Sequence, residues 1–479
     1  MKQLSEKEIE EMYDQGKEGM VTAYMALQNQ IAQLIERVSE LERQLKQNSQ
    51  NSSKPPSSDG YKKPMPKSQR KKSGRRSGGQ AGHAGATLER EGAPKYTMTH
   101  WPECCAGCGE PLGQGHAKGY ESRQVFDIPP VEIEVTDHQA MQVSCGKCGQ
   151  VTQGVFPEQV KYPVQYGSGM MALGVYALTY QLMPIERTCE LMVDLFGRTP
   201  SDGTQVNWIA AAAKRIAPIQ KLIKLAIHGA AVVHFDETGL RVATKLHWLH
   251  SASTETLTYY AVDTNRAGAA FDRVDVLPGF KGVGVHDALP SYLKRDIAHA
   301  LCNAHLLREL TSLEESTSQR WPTKLKAVLL DMKSQVAEAV STGADRLSSD
   351  VQARLEYDYD QLVKRALQTN PKPPYRPNQR GRPRASPARN LGLRLRDHKD
   401  SVLRFLHDFR VPFDNNLAER DLRMMKVKQK VSGCFRSLTG AQAFATIRGY
   451  ISTVRKQGFG ALVALRALFD GHPVDIALA

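Results

Sequence analysis

Several absences narrow the field before any motif is read. No apolar run approaches the ~20 residues that a helix needs to span a bilayer. The N-terminus, MKQLSEKEIEEMYDQ, is polar and acidic, unlike a secretory signal. Cysteine is scarce, 8 in 479 residues, and is unevenly spaced, which argues against a disulfide framework and for a reducing compartment. A soluble, cytoplasmic protein is expected. Acidic residues are in the minority, 50 against 64 Lys and Arg, leaving a formal charge of +14. That excess points to a polyanionic partner, most simply nucleic acid, although a ribosomal or membrane-surface protein would share it. The length suggests roughly three or four domains.

Residues 1–47 contain no proline. Leu27, Ile31, Leu34, Val38, Leu41 and Leu45 alternate in steps of four and three, the heptad spacing of a coiled coil, so this segment reads as an oligomerisation helix. A helix packed on its own core is the alternative. Residues 48–99 change character: Gln, Asn, Ser and Pro give way to Lys62, Lys63, Lys67, Arg70, Lys71, Lys72, Arg75 and Arg76 among Ser and Gly. Such sequence buries too little apolar surface to fold alone. It reads as a disordered basic linker, either merely solvated or lying on DNA phosphates. The single sign of its charges favours DNA.

Half of the cysteines fall in two C-x-x-C-G knuckles, the half-sites of a zinc ribbon. Cys105, Cys108, Cys145 and Cys148 are assigned to one structural Zn²⁺ within residues 100–155, with Cys104 able to replace Cys105. Val131–Val135 is strand-like, so the spacer is expected to form a hairpin. Residues 156–228 read as helices. A helix ending at Gly197 and another opening after Ser201 resemble a helix-turn-helix that reads DNA, though helical hairpins also occur in ordinary cores.

Three stretches carry chemistry. Ala230–Val233 is an apolar run of the kind found in strands covered on both faces, and it ends in Asp236 and Glu237. Asp236 either opens a turn towards Gly239 or is a ligand held on a rigid strand. Alternation puts Glu237 on the opposite face. Val283–Val285 is a second short run, ending at Asp287. The third stretch starts a helix with Asp414 as N-cap. On it Asn415, Glu419, Arg423, Lys426 and Lys430 share a face, as a salt-bridged surface or as one that tracks phosphates. Two strand-end acids and one helical acid suit two Mg²⁺ (or Mn²⁺) ions beside a phosphodiester. Cys302-Asn303-Ala304-His305 has ligand-like types, but a lone C-x-x-H is read as structural. The long interval between Asp287 and Glu419 reads as a helical insertion with a Pro- and Arg-rich loop at 372–389.

Taken in order, FDET, HDALPSY, CNAHLLREL and DNNLAERDLRMMKVKQKVSG resemble the DDE transposases of bacterial insertion sequences, and most closely the insertion-sequence 66 family. NSSKPPSSDG, GGQAGHAG and the paired cysteines extend the likeness over most of the chain. The family usually has an Arg-Lys pair and an aromatic after the glutamate helix, where this chain has Lys428-Gln429-Lys430. The resemblance implies an α/β ribonuclease H-like catalytic core with a helical insertion and a catalytic, metal-binding triad of Asp236, Asp287 and Glu419. The core would occupy 229–310 and 411–458, split by an insertion at 311–410 and followed by a C-terminal tail at 459–479, whose sequence reads as helical. It implies a DNA transposase that cleaves and joins strands at the element's ends. DNA contacts would come from Lys62, Lys63, Lys71, Lys72, Arg75, Arg76, Arg423, Lys426 and Lys430. The partners would be double-stranded DNA, further copies of the chain and possible accessory proteins of the same element, with nucleoid association when bound. A non-catalytic DNA-binding regulator and a metal-dependent nuclease without joining activity are the rival readings.

Overall fold

The computed structural model describes residues 16–48, 87–129, 131–373 and 385–478, with isolated residues between them. The basic stretch holding Lys62, Lys63, Lys71, Lys72, Arg75 and Arg76 lies outside the described residues, as does most of the 372–389 loop.

Helix α1 (Gly16–Leu45) runs unbroken through the heptads. Leu27, Ile31, Leu34, Val38, Leu41 and Leu45 are all exposed, so the stripe is not packed on this chain's own core. The short strands β1 (Gln142–Ser144) and β2 (Val151–Gln153) pair antiparallel across the second cysteine knuckle. Val131–Val135, expected in a hairpin, forms no strand, and Val131 and Val135 are exposed. Without a neighbouring apolar surface, β-branched residues alone do not make a strand.

Helices α2 (Ser168–Val175), α3 (Ile185–Phe196) and α4 (Asp202–Gly229) follow. Gly197 takes φ 67, closing α3 in the left-handed conformation, and Ser201 Oγ accepts the Thr204 N–H to open α4. The turn is as expected, but α4 also buries Trp208, Ala212 and Ile216 among residues from the far end of the chain.

Strands β3 (Val232–Val242), β4 (Lys245–Ser253), β5 (Thr258–Asp263), β6 (Val283–His286) and β7 (Ala298–Leu301) form one sheet in the order β5-β4-β3-β6-β7. The pairs β5-β4 and β4-β3 are antiparallel; β3-β6 and β6-β7 are parallel. Strand β3 does not end at its acids as the sequence suggested. It continues to Val242 because Leu240 and Val242 keep the alternation and β4 pairs along it, through a turn in which Ala243 and Thr244 have φ 45 and 69. Helices α5 (Ala269–Val274) and α6 (Pro290–Leu293) bridge the strands. At Gly284 on β6 a Cβ would stand 2.8 Å from Ile297 Cδ1 and 3.3 Å from Phe235, so glycine lets those neighbours pack.

The inserted helices are α7 (Asn303–Ser316), α8 (Trp321–Ser341), α9 (Ser349–Thr369), α10 (Pro387–Asp397), α11 (Lys399–Val402) and α12 (Arg404–His407). Their apolar faces share one core with Val285, Ala300 and Leu301 of β6 and β7, so the insertion is seated on that edge of the sheet. Helix α13 (Asn416–Ser432) and α14 (Leu438–Lys456) cover one face of the sheet. The expected helix start is displaced by one residue: Asn415 stands at the N-cap and Asp414 Oδ1 accepts the Asn416 N–H. The segment at 459–479, expected as a tail, contains α15 (Ala461–Asp470), whose Ala464, Leu465 and Leu468 are buried against α2, α4 and α14. Among the described residues no helix is long and apolar enough to cross a membrane.

Candidate active site

The parallel pairing of β3 with β6 sets His234 opposite Val285. Carrying that register two residues further puts Asp236 beside Asp287, and because side chains alternate, both face the α13 side of the sheet. Helix α13 is tied to this point by Asn415, which is 2% exposed. Its Oδ1 lies 2.8 Å from His234 Nδ1, its Nδ2 donates to the Phe235 carbonyl at 2.8 Å, and its backbone N–H donates to Cys302 Sγ at 3.2 Å. Glu419 follows one turn later, its N–H donating to the Asn415 carbonyl at 3.2 Å. Two residues beyond Glu419 the helix is held again by Asp421, whose carboxylate accepts from Lys456 Nζ at 2.8 Å and Ser253 Oγ at 2.8 Å. Three acids remote in sequence thus come near one another beside the C-terminal end of β6, where the charges of Asp287 and Glu419 both reach Asp236, although the ligand atoms of the three do not form a set within 4.8 Å among the described residues.

Their electrostatics are unfavourable as they stand. Burial pushes the Asp236 carboxyl well above its usual range, and the charges of Glu237, Asp287 and Glu419 add to the rise, against one hydrogen bond from the Glu237 N–H. Glu237 is raised too, first by burial and then by Asp287. The cations nearby are Arg266, whose Nη2 is 3.8 Å from Asp287 Oδ2, and Arg308, whose Nη2 is 3.8 Å from Glu419 Oε2. A crowd of carboxylates so thinly neutralised suits divalent cations.

Glu237 does point to the opposite face, yet it is no bystander. Its side chain is 1% exposed, and it accepts from Arg266 Nε at 2.8 Å and from the Tyr292 hydroxyl at 2.8 Å. Arg266 lies over the Trp248 ring, 5.1 Å from its centroid, and reaches Asp287 as well. Glu237 therefore sets the position of a guanidinium that faces a site acid.

The C-x-x-H stretch is likewise more than local structure. Cys302 stands at the N-cap of α7 and His305 lies within its first turn. Among the described residues one set of three potential ligands brings its donor atoms within 4.8 Å of one another: Cys302, His305 and Glu419. The spacing of Cys302 and His305 was visible in the sequence, but their partner lies across the whole insertion.

The model described as "Transposase IS66 family" matches residues 163–443, more than half of the chain. The chain belongs to the IS66 transposase family. A zinc-finger model, described as the zinc-finger binding domain of transposase IS66, matches residues 102–149, and a family of unknown function (DUF6444) matches 3–89. A search of curated proteins finds no match.

In this transposase the two cysteine knuckles are built alike. Cys105 and Cys145 each donate their N–H to a carbonyl five residues on, Glu110 and Gln150, at 2.9 and 2.8 Å. Each also accepts at its own carbonyl from Gly109 or Gly149, at 2.9 and 2.8 Å. In each knuckle, backbone N–H groups lower the first thiol's pKa: those of Cys108 and Gly107 for Cys105, and those of Lys147 and Cys148 for Cys145. Cys104 sits outside that pattern, bridging to Pro111 instead. The matched zinc-finger region supports a structural zinc. Among the described residues, the sulfurs of Cys105, Cys108, Cys145 and Cys148 do not form one set within 4.8 Å of one another.

On α13 of the transposase, Arg423 and Lys430 are exposed whereas Lys426 is half-buried, and burial lowers its pKa. Lys428 and Gln429, in the place of the family's usual Arg-Lys pair, turn inwards. Lys428 Nζ lies 4.4 Å from the Phe435 ring centroid, and Gln429 Nε2 donates to the Gly239 carbonyl at 3.0 Å.

Proposed function

We propose that this transposase catalyses metal-dependent cleavage of DNA strands at the ends of its element and their transfer to target DNA. The observation that supports the proposal is the proximity of Asp236 on β3, Asp287 just past the end of the parallel strand β6, and Glu419 on a helix anchored to β3 through Asn415, close enough that the charges of Asp287 and Glu419 both act on Asp236. Glu419 Oε1 is buried without a hydrogen-bond partner among the described residues, and the Asp236 carboxyl is raised first by burial and then by its acidic neighbours, so the donors fit divalent ions. Two such ions, when bound, activate the attacking oxygen and stabilise the leaving 3′-oxygen. The residues hold the charge: Asp236 and Asp287 from the rigid sheet, Glu419 from the first turn of α13. One site serves both steps, with water as nucleophile in cleavage and the freed 3′-hydroxyl in joining. The mixed sheet with helices on both faces supports a ribonuclease H-like core, split by the insertion at 311–410 into 229–310 and 411–458.

The remaining assignments support DNA handling. Arg423 and Lys430, with Lys426 beside them, run along α13 away from Glu419 as phosphate contacts, and the basic stretch at 62–76 adds non-specific affinity. Cys105, Cys108, Cys145 and Cys148 hold one zinc. Helices α3 and α4 form the DNA-reading pair in 156–228. The exposed heptad stripe of α1 supports a coiled coil between copies, which brings two DNA ends together.

The test is incubation of the full chain with duplex carrying the element's ends, a supercoiled target and Mg²⁺. Joined product is the expected result. Cleavage without joining would leave a nuclease, and binding without either a DNA-binding regulator.

A further inference from the structure

Beside Glu419 lies a donor that the triad does not include. His305 Nδ1 faces Glu419 Oε1 at 3.9 Å, too far for a hydrogen bond. Both atoms are buried, and neither has a hydrogen-bond partner among the described residues. Their neighbours are otherwise engaged: Glu419 Oε2 faces Arg308 Nη2 at 3.8 Å, and Cys302 Sγ accepts the Asn415 N–H at 3.2 Å. Two ligands of one ion, each at about 2.1 Å, stand roughly 3–4 Å apart, so the gap has the width a shared cation requires. Besides the opposing charge of Arg308, the charges of Glu419 and Asp287 both reach the ring. Arg308 opposes a cation there, but from the Oε2 side of the carboxylate.

We propose that His305 Nδ1 and Glu419 Oε1 together bind one divalent ion of this site, with the Cys302 sulfur closing its wall. The inference rests on the reading that Glu419 holds a metal. It adds a nitrogen donor to an otherwise all-oxygen site, which shifts ion choice from Mg²⁺ towards Mn²⁺ and other borderline ions.

The test uses zinc-replete full-length protein with Mn²⁺ alone, without DNA. Bound Mn²⁺ is counted by electron paramagnetic resonance, and pulsed measurements detect the nitrogen of a directly coordinated imidazole. The wild-type protein is expected to show that coupling. In His305→Ala the coupling should vanish and Mn²⁺ affinity fall by about tenfold or more. Bound Mn²⁺ without nitrogen coupling in the wild type overturns the proposal, and needs no variant to fold. So does coupling that survives in His305→Ala with unchanged affinity. Nitrogen coupling in a protein that joins no DNA would keep this site and remove the transposition reading. Joining activity with no coupling would do the reverse.

Discussion

Replacing Asn415 by Ala removes the side chain that fastens α13 to β3. Asn415 is 2% exposed, and both of its side-chain bonds, to His234 Nδ1 and to the Phe235 carbonyl, are 2.8 Å long. The truncation leaves two buried polar groups unpartnered, each costing about 1–3 kcal/mol, so a loss of about 2–6 kcal/mol is expected. Glu419 lies one turn beyond the break, and a displacement of an ångström at a reacting centre can cost about 100-fold in rate. Urea unfolding followed by circular dichroism should show a lower midpoint with an unchanged slope. DNA cleavage should fall by about that factor while DNA binding persists. Asn416→Ala, at the exposed neighbouring position, should leave both within about 0.5 kcal/mol and twofold of the wild type. An Asn415→Ala protein that loses under about 1 kcal/mol and cleaves normally would refute the idea that this residue positions the helix.

Further outcomes follow from charge and from the N-terminal half. In buffer free of Mg²⁺ and Mn²⁺, Asp236 and Glu237 hold protons more tightly folded than unfolded, because burial raises both. Stability should therefore decline as pH rises from the unfolded carboxylate range near about 4 through the raised folded values. Thermal melts of wild type and Asp236→Asn should show that decline lessened in the variant; equal slopes would contradict it. Joint replacement of Cys145 and Cys148 by Ser should release about one Zn²⁺ per chain by metal analysis, and full retention would remove the assignment. Deleting residues 1–47 should lower the mass in solution without unfolding the core, and an unchanged mass would mean that the leucines of α1 serve another purpose.

Much of the architecture can be read from local signals. The heptads of α1, the cysteine knuckles, the glycine turn between α3 and α4, and the apolar runs before Asp236 and Asp287 are all contained in short windows, where periodicity and turn chemistry act. The order of these motifs also pointed to the IS66 family, which the family match bears out. What escaped depends on distant partners. The length of β3 is set by pairing through Ala243 and Thr244, both at positive φ without being glycine, a turn with no sequence mark. Asn415 looks like one more polar residue in a DNN run until β3 is laid beside it. Cys302 and His305 read as structural in isolation because their third partner, Glu419, arrives only after the insertion has folded back. The helical character of the C-terminal segment is legible, but the packing of Ala461–Asp470 is not, because it depends on α2 and α4.

The central claim is that Asp236, Asp287 and Glu419 act as one charged unit on DNA. It is tested by giving wild type, Asp236→Asn, Asp287→Asn, Glu419→Gln and the triple variant both intact and pre-cleaved element ends with Mg²⁺ and target DNA. Each single change should abolish cleavage and joining nearly as fully as the triple change, while salt-sensitive DNA binding remains. Any single variant that still cleaves and joins at the wild-type rate would contradict the account.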